Sequence, residues 1–242
     1  IDNTVTADIS DAGITADGGL SLSARDLSTV DSVAVGASGS GFGAAGAAVS
    51  KNLIDNSVEA TITASTITAG VGGVSLTAES PALIRSFAAG ISGSGLAAGQ
   101  ASVTLNEINN TITAKIDDST VNSTGTVSLL ASDEAPDTIP DFLADMLIPT
   151  DTITQATDNL DGESVDQAAN IVSFAASIAV SGGVAGSAAV AENTITNTVT
   201  AQVIDSDLTV TSGDIDAAAR SGSRISTLSA GIGVAGGLSL NA

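Results

Sequence analysis

The chain contains no cysteine, no histidine, no tryptophan and no tyrosine, and its aromatic content is four phenylalanines. Disulfide staples, thiolate nucleophiles, imidazole bases and the ordinary zinc ligand sets therefore lack their residues. Cations are nearly as scarce: 6 Lys and Arg stand against 27 Asp and Glu, for a net charge of -21. Neutralising phosphates requires clustered basic groups, so nucleic acid is excluded as a partner. No run reaches the ~18–20 apolar residues of a membrane helix. The aromatic girdles of a membrane barrel have no material either. The chain is thus expected not to span a membrane. It starts at Ile1 rather than at a methionine and shows no signal peptide, which reads as an excised or mature segment.

What is present is small and apolar. Hydrophobic residues make up 43% of the chain and mean hydropathy is +0.38, which argues against disorder despite the acidity. Much of that fraction is Ala and Val. Four Phe and one Met cannot fill a wide globular interior at native density, so a thin, layered interior is expected.

Internal repeats organise the sequence. Ile-Asp-Asn-Thr-Val-Thr-Ala from Ile1 returns as Ile-Asp-Asn-Ser-Val-Glu-Ala from Ile54, Ile-Asn-Asn-Thr-Ile-Thr-Ala from Ile108 and Ile-Thr-Asn-Thr-Val-Thr-Ala from Ile195. The starts are 53, 54 and 87 residues apart, and removing an insertion at 133–167 restores the period. The units are 1–53, 54–107, 108–194 with the insertion, and an incomplete 195–242, all in one continuous repeat domain. Each opens on an alternating strand and a second short strand. A Gly-bounded strand follows (from Gly19, Gly73, Gly125 and Gly213), and a Gly/Ala/Ser tract closes the unit (33–50, 87–105, 174–191 and 228–240). Period-two alternation with β-branched residues is the strand signal. The tracts also read as strands, because several Gly in a helix would each cost about 1 kcal/mol relative to Ala. Their central Gly marks a tight corner.

The expected fold is an all-β, repetitive β-solenoid, with stacked long antiparallel β-hairpins as the alternative. In the solenoid version each unit makes about three rungs of ~18 residues, and twelve rungs spaced ~4.8 Å apart run roughly 58 Å. At the end of the chain, Leu238-Ser-Leu-Asn-Ala resembles Val103-Thr-Leu-Asn-Glu, which would lead straight into a new Ile1. Aligned instead on the Gly-Gly corner, the chain stops about seven residues earlier in the repeat. Either phase suggests one segment of a longer array, or a protomer stacking head to tail on identical or homologous repeats. An isolated stack would expose unpaired strands at both ends.

The insertion carries ten acidic residues, no basic ones and three of the four prolines, Pro136, Pro140 and Pro149. Between them Phe142, Leu143, Met146 and Leu147 share one face of a short helix starting near Asp141. The plain reading is a surface loop packed on the solenoid. The sharper one is a docking knob, since insertions in solenoids often map to a binding face.

Other candidates have bland counterparts. Asp117-Asp118, Asp205-Ser-Asp207 and Asp214-Ile-Asp216 could suggest calcium, but no calcium-binding repeat pattern is present, and Asp is an ordinary turn residue. Thr pairs at Thr4/Thr6, Thr61/Thr63, Thr66/Thr68, Thr111/Thr113 and Thr198/Thr200 resemble an ice-binding ladder, yet β-propensity already explains them. Arg220 and Arg224 are expected to offset Asp214 and Asp216, and no cofactor and no catalytic residue is expected.

The alternation of Ile-x-Asn-Thr-Val-Thr-Ala strands with Gly/Ala tracts resembles the repeats of very large bacterial secreted adhesins and exoproteins. These include the filamentous-haemagglutinin and filamentous-leukotoxin passenger regions. The resemblance implies a β-solenoid shaft displayed outside a bacterial cell, working in adhesion or filament formation. A structural, non-enzymatic filament segment is the first expectation. An adhesin that binds a cell-surface or matrix ligand through its insertion or Thr-rich face is the second.

Overall fold

The computed structural model describes residues 1–135 and 169–242. Among them every regular element is a β-strand. Five strands make one coil: β1 (Thr4–Ser10), β2 (Gly13–Ala16), β3 (Gly19–Arg25), β4 (Thr29–Ser40) and β5 (Gly43–Ile54). The second coil repeats them as β6 (Ser57–Thr63), β7 (Thr66–Ala69), β8 (Gly73–Glu79), β9 (Leu83–Ser94) and β10 (Ala97–Ile108). The third is β11 (Thr111–Asp117), β12 (Thr120–Ser123), β13 (Val127–Glu134), β14 (Ile171–Ser181) and β15 (Val184–Ile195). The fourth is β16 (Thr198–Ile204), β17 (Asp207–Val210), β18 (Ile215–Gly222), β19 (Ile225–Ala235) and β20 (Leu238–Asn241).

Each of five sheets takes one strand from every coil, as in β1-β6-β11-β16. Every ladder is parallel and in register, so Val5 lies on Val58 and Ile112 lies on both Val58 and Val199. The chain is therefore a repeat protein of β-solenoid type, and the stacked antiparallel hairpins are overturned. The rung count is corrected too. One unit makes one coil, so four coils spaced ~4.8 Å apart stand about 19 Å high, not 58 Å. Parallel stacking puts like residues on like at the true coil length. The sequence recurs at 53–54 residues and not at 18.

Two parts make up the cross-section. The first three strands of each coil enclose a head whose interior is aliphatic: Ile62, Ile67, Leu76, Ile112, Ile116 and Val121 are fully buried. Its first corner uses the left-handed region in every coil, at Asp11, Ala64, Asp118 and Asp205 (φ 50°, 48°, 46° and 44°). Asx residues enter that region at little cost, which is why three of the four are Asp. Gly73 sits at φ 73°, where a Cβ would run into the Thr126 carbonyl.

The last two strands of each coil form an arm. Sheet β4-β9-β14-β19 lies against sheet β5-β10-β15-β20, and each Gly/Ala tract folds back at its corner, as at Gly41-Phe42 and Gly95-Leu96. The two limbs meet through side chains, not backbone hydrogen bonds. Ser32 Oγ lies 2.7 Å from Ser50 Oγ, and Asn106 donates to Ser86 Oγ at 2.8 Å. Gln100 of β10 reaches across to Gly36 and Gly90 of the facing sheet and lies over Gly46 of its own sheet; a Cβ at Gly46 or Gly90 would collide with it. Ile54, Ile84, Ile108 and Ile171 close the waist between head and arm.

The third coil departs from the others after β13. Asp133 and Glu134, expected at the start of the insertion, belong to this strand and pair with Ser221 and Gly222. They stay in the ladder because the corner that Ser80 occupies in the second coil needs a polar group here too. The short helix and its residues Phe142, Leu143, Met146 and Leu147 fall outside the described residues. At the end of the chain, Leu238 pairs with Val184, which pairs with Ala97. The Gly-Gly alignment is therefore the correct phase, and the match of Leu238 to Val103 is overturned.

Candidate functional site: the open faces of the stack

Burial varies with height in the stack. Val58, Ala60 and Ile62 of the second coil are fully buried, whereas Val5, Ala7 and Ile9 below them are only half-covered. In the fourth coil Val199, Leu208 and Val210 are half-covered, and Ile215 and Ile225 are exposed. The first coil therefore has an open lower face and the fourth an open upper face. Each presents half-buried apolar side chains beside a row of strands with one backbone edge unpaired. Such edges are templates for further β pairing.

Polar ladders give these faces a direction. Asn56 Oδ1 accepts from the Asn3 backbone N–H at 2.9 Å, Asn110 Oδ1 from Asn56 at 2.9 Å, and Asn197 Oδ1 from Asn110 at 2.7 Å. The same amides donate inward, from Asn56 to Asp26 (2.7 Å), Asn110 to Ser80 (3.1 Å) and Asn197 to Asp133 (2.6 Å). A second ladder runs through the arm, with Asn52 donating to Asn106 and Asn106 to Asn193, both at 2.7 Å. In both, the lower coil donates and the upper coil accepts. The lower face thus presents the amide oxygens of Asn3 and Asn52, and the upper face the N–H of Asn197, while the arm ladder ends at Asn193 in the third coil. A serine ladder has the same polarity: Ser65, Ser119 and Ser206 Oγ each accept from the backbone one coil below at 3.0 Å. Ala12 holds that place in the first coil and offers no acceptor. Sequence reasoning overlooked the asparagine ladders. Their signal was available in the matched spacing of Asn3, Asn56, Asn110 and Asn197, and of Asn52, Asn106 and Asn193.

Charge follows the coils as well. Arg25 pairs with Glu79 one coil up at 3.2 Å, Arg85 pairs with Asp31 one coil down, and Lys115 pairs with Asp117 at 3.0 Å. Among the described residues no ion pair joins Arg220 to Asp214 or Asp216, contrary to expectation; Asp216 and Arg220 lie on the same side of β18 but four residues, about 13 Å, apart. Asp133 is buried, and burial pushes its carboxyl above the ordinary carboxylate value. Hydrogen bonds from Ser223, Asn197 and Ser221 to Oδ2 pull the other way, and Oδ1 has no partner.

The remaining candidates are placed as follows. Asp118 and Asp205 occupy the left-handed corners, the turn role weighed against calcium. Among the described residues, no three carboxylates converge into a set that could hold a metal ion. Thr6, Thr113 and Thr200 share one outward column, but Glu59 interrupts it. A cleft of about 410 Å³ at the waist is bordered by the Arg25–Glu79 pair, Leu27, Leu83 and Glu134. Among the described residues no helix is long and apolar enough to cross a membrane. Comparison with protein-family models, with curated proteins and with solved structures finds no match. Chemically, the open faces offer unpaired backbone edges beside half-buried aliphatic side chains.

Proposed function

We propose that this chain is a structural segment of an extracellular filament or shaft, and that coils of the same kind cover its open faces head to tail. One observation carries the reading: the ladder Asn3–Asn56–Asn110–Asn197 runs through all four coils with one polarity, so its acceptor lies on the lower face and its donor on the upper. An identical unit set on top meets the matching partner where the head ladder ends at Asn197 and covers the half-buried aliphatic residues; the arm ladder ends at Asn193 in the third coil, because β20 stops at Asn241, short of that place. Ala12 offers no acceptor to the serine ladder. Stability in such a stack is a sum of nearest-neighbour terms, so each added coil gains the burial that the second and third coils already have. A charge of -21 keeps the rods soluble and limits indiscriminate sticking. The partners in this reading are identical or homologous repeats, and the role is mechanical, with no enzymatic activity.

Electron microscopy and fibre diffraction across a concentration series test this. The expected result is rods that lengthen along one axis with an axial repeat of ~4.8 Å. A folded particle that stays at 23.3 kDa at every concentration overturns it.

A further inference from the structure

The arm is built inside out. Its interior columns are Ser, Asn, Gln, Gly and Ala, whereas its outward columns are apolar. On sheet β4-β9-β14-β19, Val33, Phe87, Phe174 and Leu228 stack as one ridge, with the Phe87 and Phe174 rings parallel and 5.2 Å apart. A second ridge is Ala37, Ile91, Ile178 and Ile232. Between them runs the low column of Val35, Ala89, Ala176 and Ala230. Val35 is 72% exposed, Ile91 57% and Ile232 51%, whereas Phe174, Ala176 and Ile178 are half-buried and Phe87 is buried. The opposite face, on β5-β10-β15-β20, is a trough. Two low columns (Ala45, Gly99 and Gly186, closed in the fourth coil by Leu240; Ala47, Ala101 and Ala188) lie beside a ridge of Val49, Val103 and Val190.

Charge is segregated from these faces. The stretches 32–50, 86–106, 171–191 and 225–242 contain no charged side chain. Two copies at -21 repel each other through the head and can approach through the arm. We propose that the arm is a lateral docking element for a second copy of this chain, the ridged face of one copy seating in the trough of the next. Both faces have the same strand spacing, so ridge and trough match along the first three coils, up to Leu240. A bilayer would cover one side of a slab that is apolar on two. Ridge-in-trough pairing covers both, copy after copy, as heterologous contacts do.

Area sets the strength. Seven residues by four strands span about 23 Å by 19 Å, or ~440 Å² per face. A stable pair needs about 800 Å² per partner. A lone contact is therefore weak, and contacts repeated along a stack become strong by multivalency. That strengthening, though not the contact itself, rests on the filament reading.

The absence of cysteine makes single-cysteine probes clean. A176C marks the ridged face and A101C the trough. Mixed in the full chain and treated with a short bismaleimide, they are expected to give A176C–A101C cross-links at least tenfold above either homotypic pair. The yield should rise with salt, which screens head-to-head repulsion. I91D with V190D, both outward, should abolish the cross-links and the lateral width of rods without changing the melting temperature; T6D on the head should not. Homotypic or absent cross-links overturn the proposal, as does insensitivity to I91D/V190D. So does binding to phosphatidylcholine vesicles by chain that shows no cross-linking. Rod length reports axial stacking separately, so short particles that still cross-link would fail the filament reading and spare this one.

Discussion

Head and arm are made by the same chain in the same coils, yet their side chains are sorted in opposite ways. In the head, Ile62, Leu76, Ile112 and Ile116 point inward, while Thr, Ser and most of the charge face solvent. In the arm, Ser86, Ser102, Thr104 and Asn106 point inward and Val35, Ile91 and Ile232 point out. The head is held by hydrophobic burial. The arm is held by backbone ladders along the stack, by close contact between small residues and by hydrogen bonds across the gap. Several interior hydroxyls of the arm, among them those of Ser38, Ser92, Ser102 and Ser177, have no partner. The contrast shows that parallel stacking can carry a layer whose interior contributes little hydrophobic free energy, provided a conventional core anchors it at one end.

That contrast can be broken, and the sharpest attempt is in the head. Leu76→Ala should cost about 2–5 kcal/mol in urea unfolding, the range for emptying a filled aliphatic site; a loss below 1 kcal/mol would mean that the head is not the anchor. Next in size is the arm's own packing. Gly90→Ser should destabilise by about 1–3 kcal/mol by overpacking against Gln100. Adding Gln100→Ser should restore most of it, because the third coil has Ser177 and Ser187 at the positions of Gly90 and Gln100. Without rescue, the glycines are not there to house Gln100. Asn56→Ala should cost about 1–3 kcal/mol by leaving buried partners unmet, and Asn3→Ala, at the open face, clearly less. Equal effects would remove the difference between inner and outer coils.

Smaller effects sharpen the comparison. Ser92→Ala should be neutral or stabilising by up to ~1 kcal/mol, since it removes a buried hydroxyl with no partner. A large loss would show that the arm's interior depends on its hydroxyls. Asp133 gives a pH signature. Its folded-state pKa is raised, so the native state holds the proton more tightly than the unfolded chain. The stability it contributes is complete below the ordinary carboxylate value and is lost as pH rises through the raised one. Asp133→Asn should therefore gain on the wild type as pH climbs through that window, by melting temperature; a gain that grows toward acid would contradict the assigned cause. Smallest of all, deleting 135–168 joins Glu134 to Ala169, as Pro81 joins Ala82 in the second coil, and should leave the melting temperature nearly unchanged.

Much of the head was legible in the sequence. Val5, Ala7 and Ile9 alternate at period two, and the repeat returns the same pattern 53 residues later, so strand positions and like-on-like stacking follow from the residues alone. The rung count was not legible. Three short strands and two long ones can be wound as several small rungs or one large coil, and only the hydrogen-bond register decides. The arm was half legible. Its Gly and Ser contents signalled strands in close approach and a corner, but alternation of small with small carries no label for inside or outside. The asparagine ladders were visible as spacing. Their donor and acceptor polarity was not, because it depends on which way each amide leans across a 4.8 Å step.

By itself, then, the amino-acid order determined that this chain is β, repetitive and built on a 53-residue period. Those properties follow from local alternation and from like residues recurring at the distance that parallel stacking requires. The tertiary structure alone decided that each period closes as one coil, that the tract's two limbs face each other through serine and asparagine, and that its valines, isoleucines and phenylalanines look outward. Those choices depend on which strands share hydrogen bonds and which share only side-chain contact, and that is a property of the closed coil, not of any segment within it.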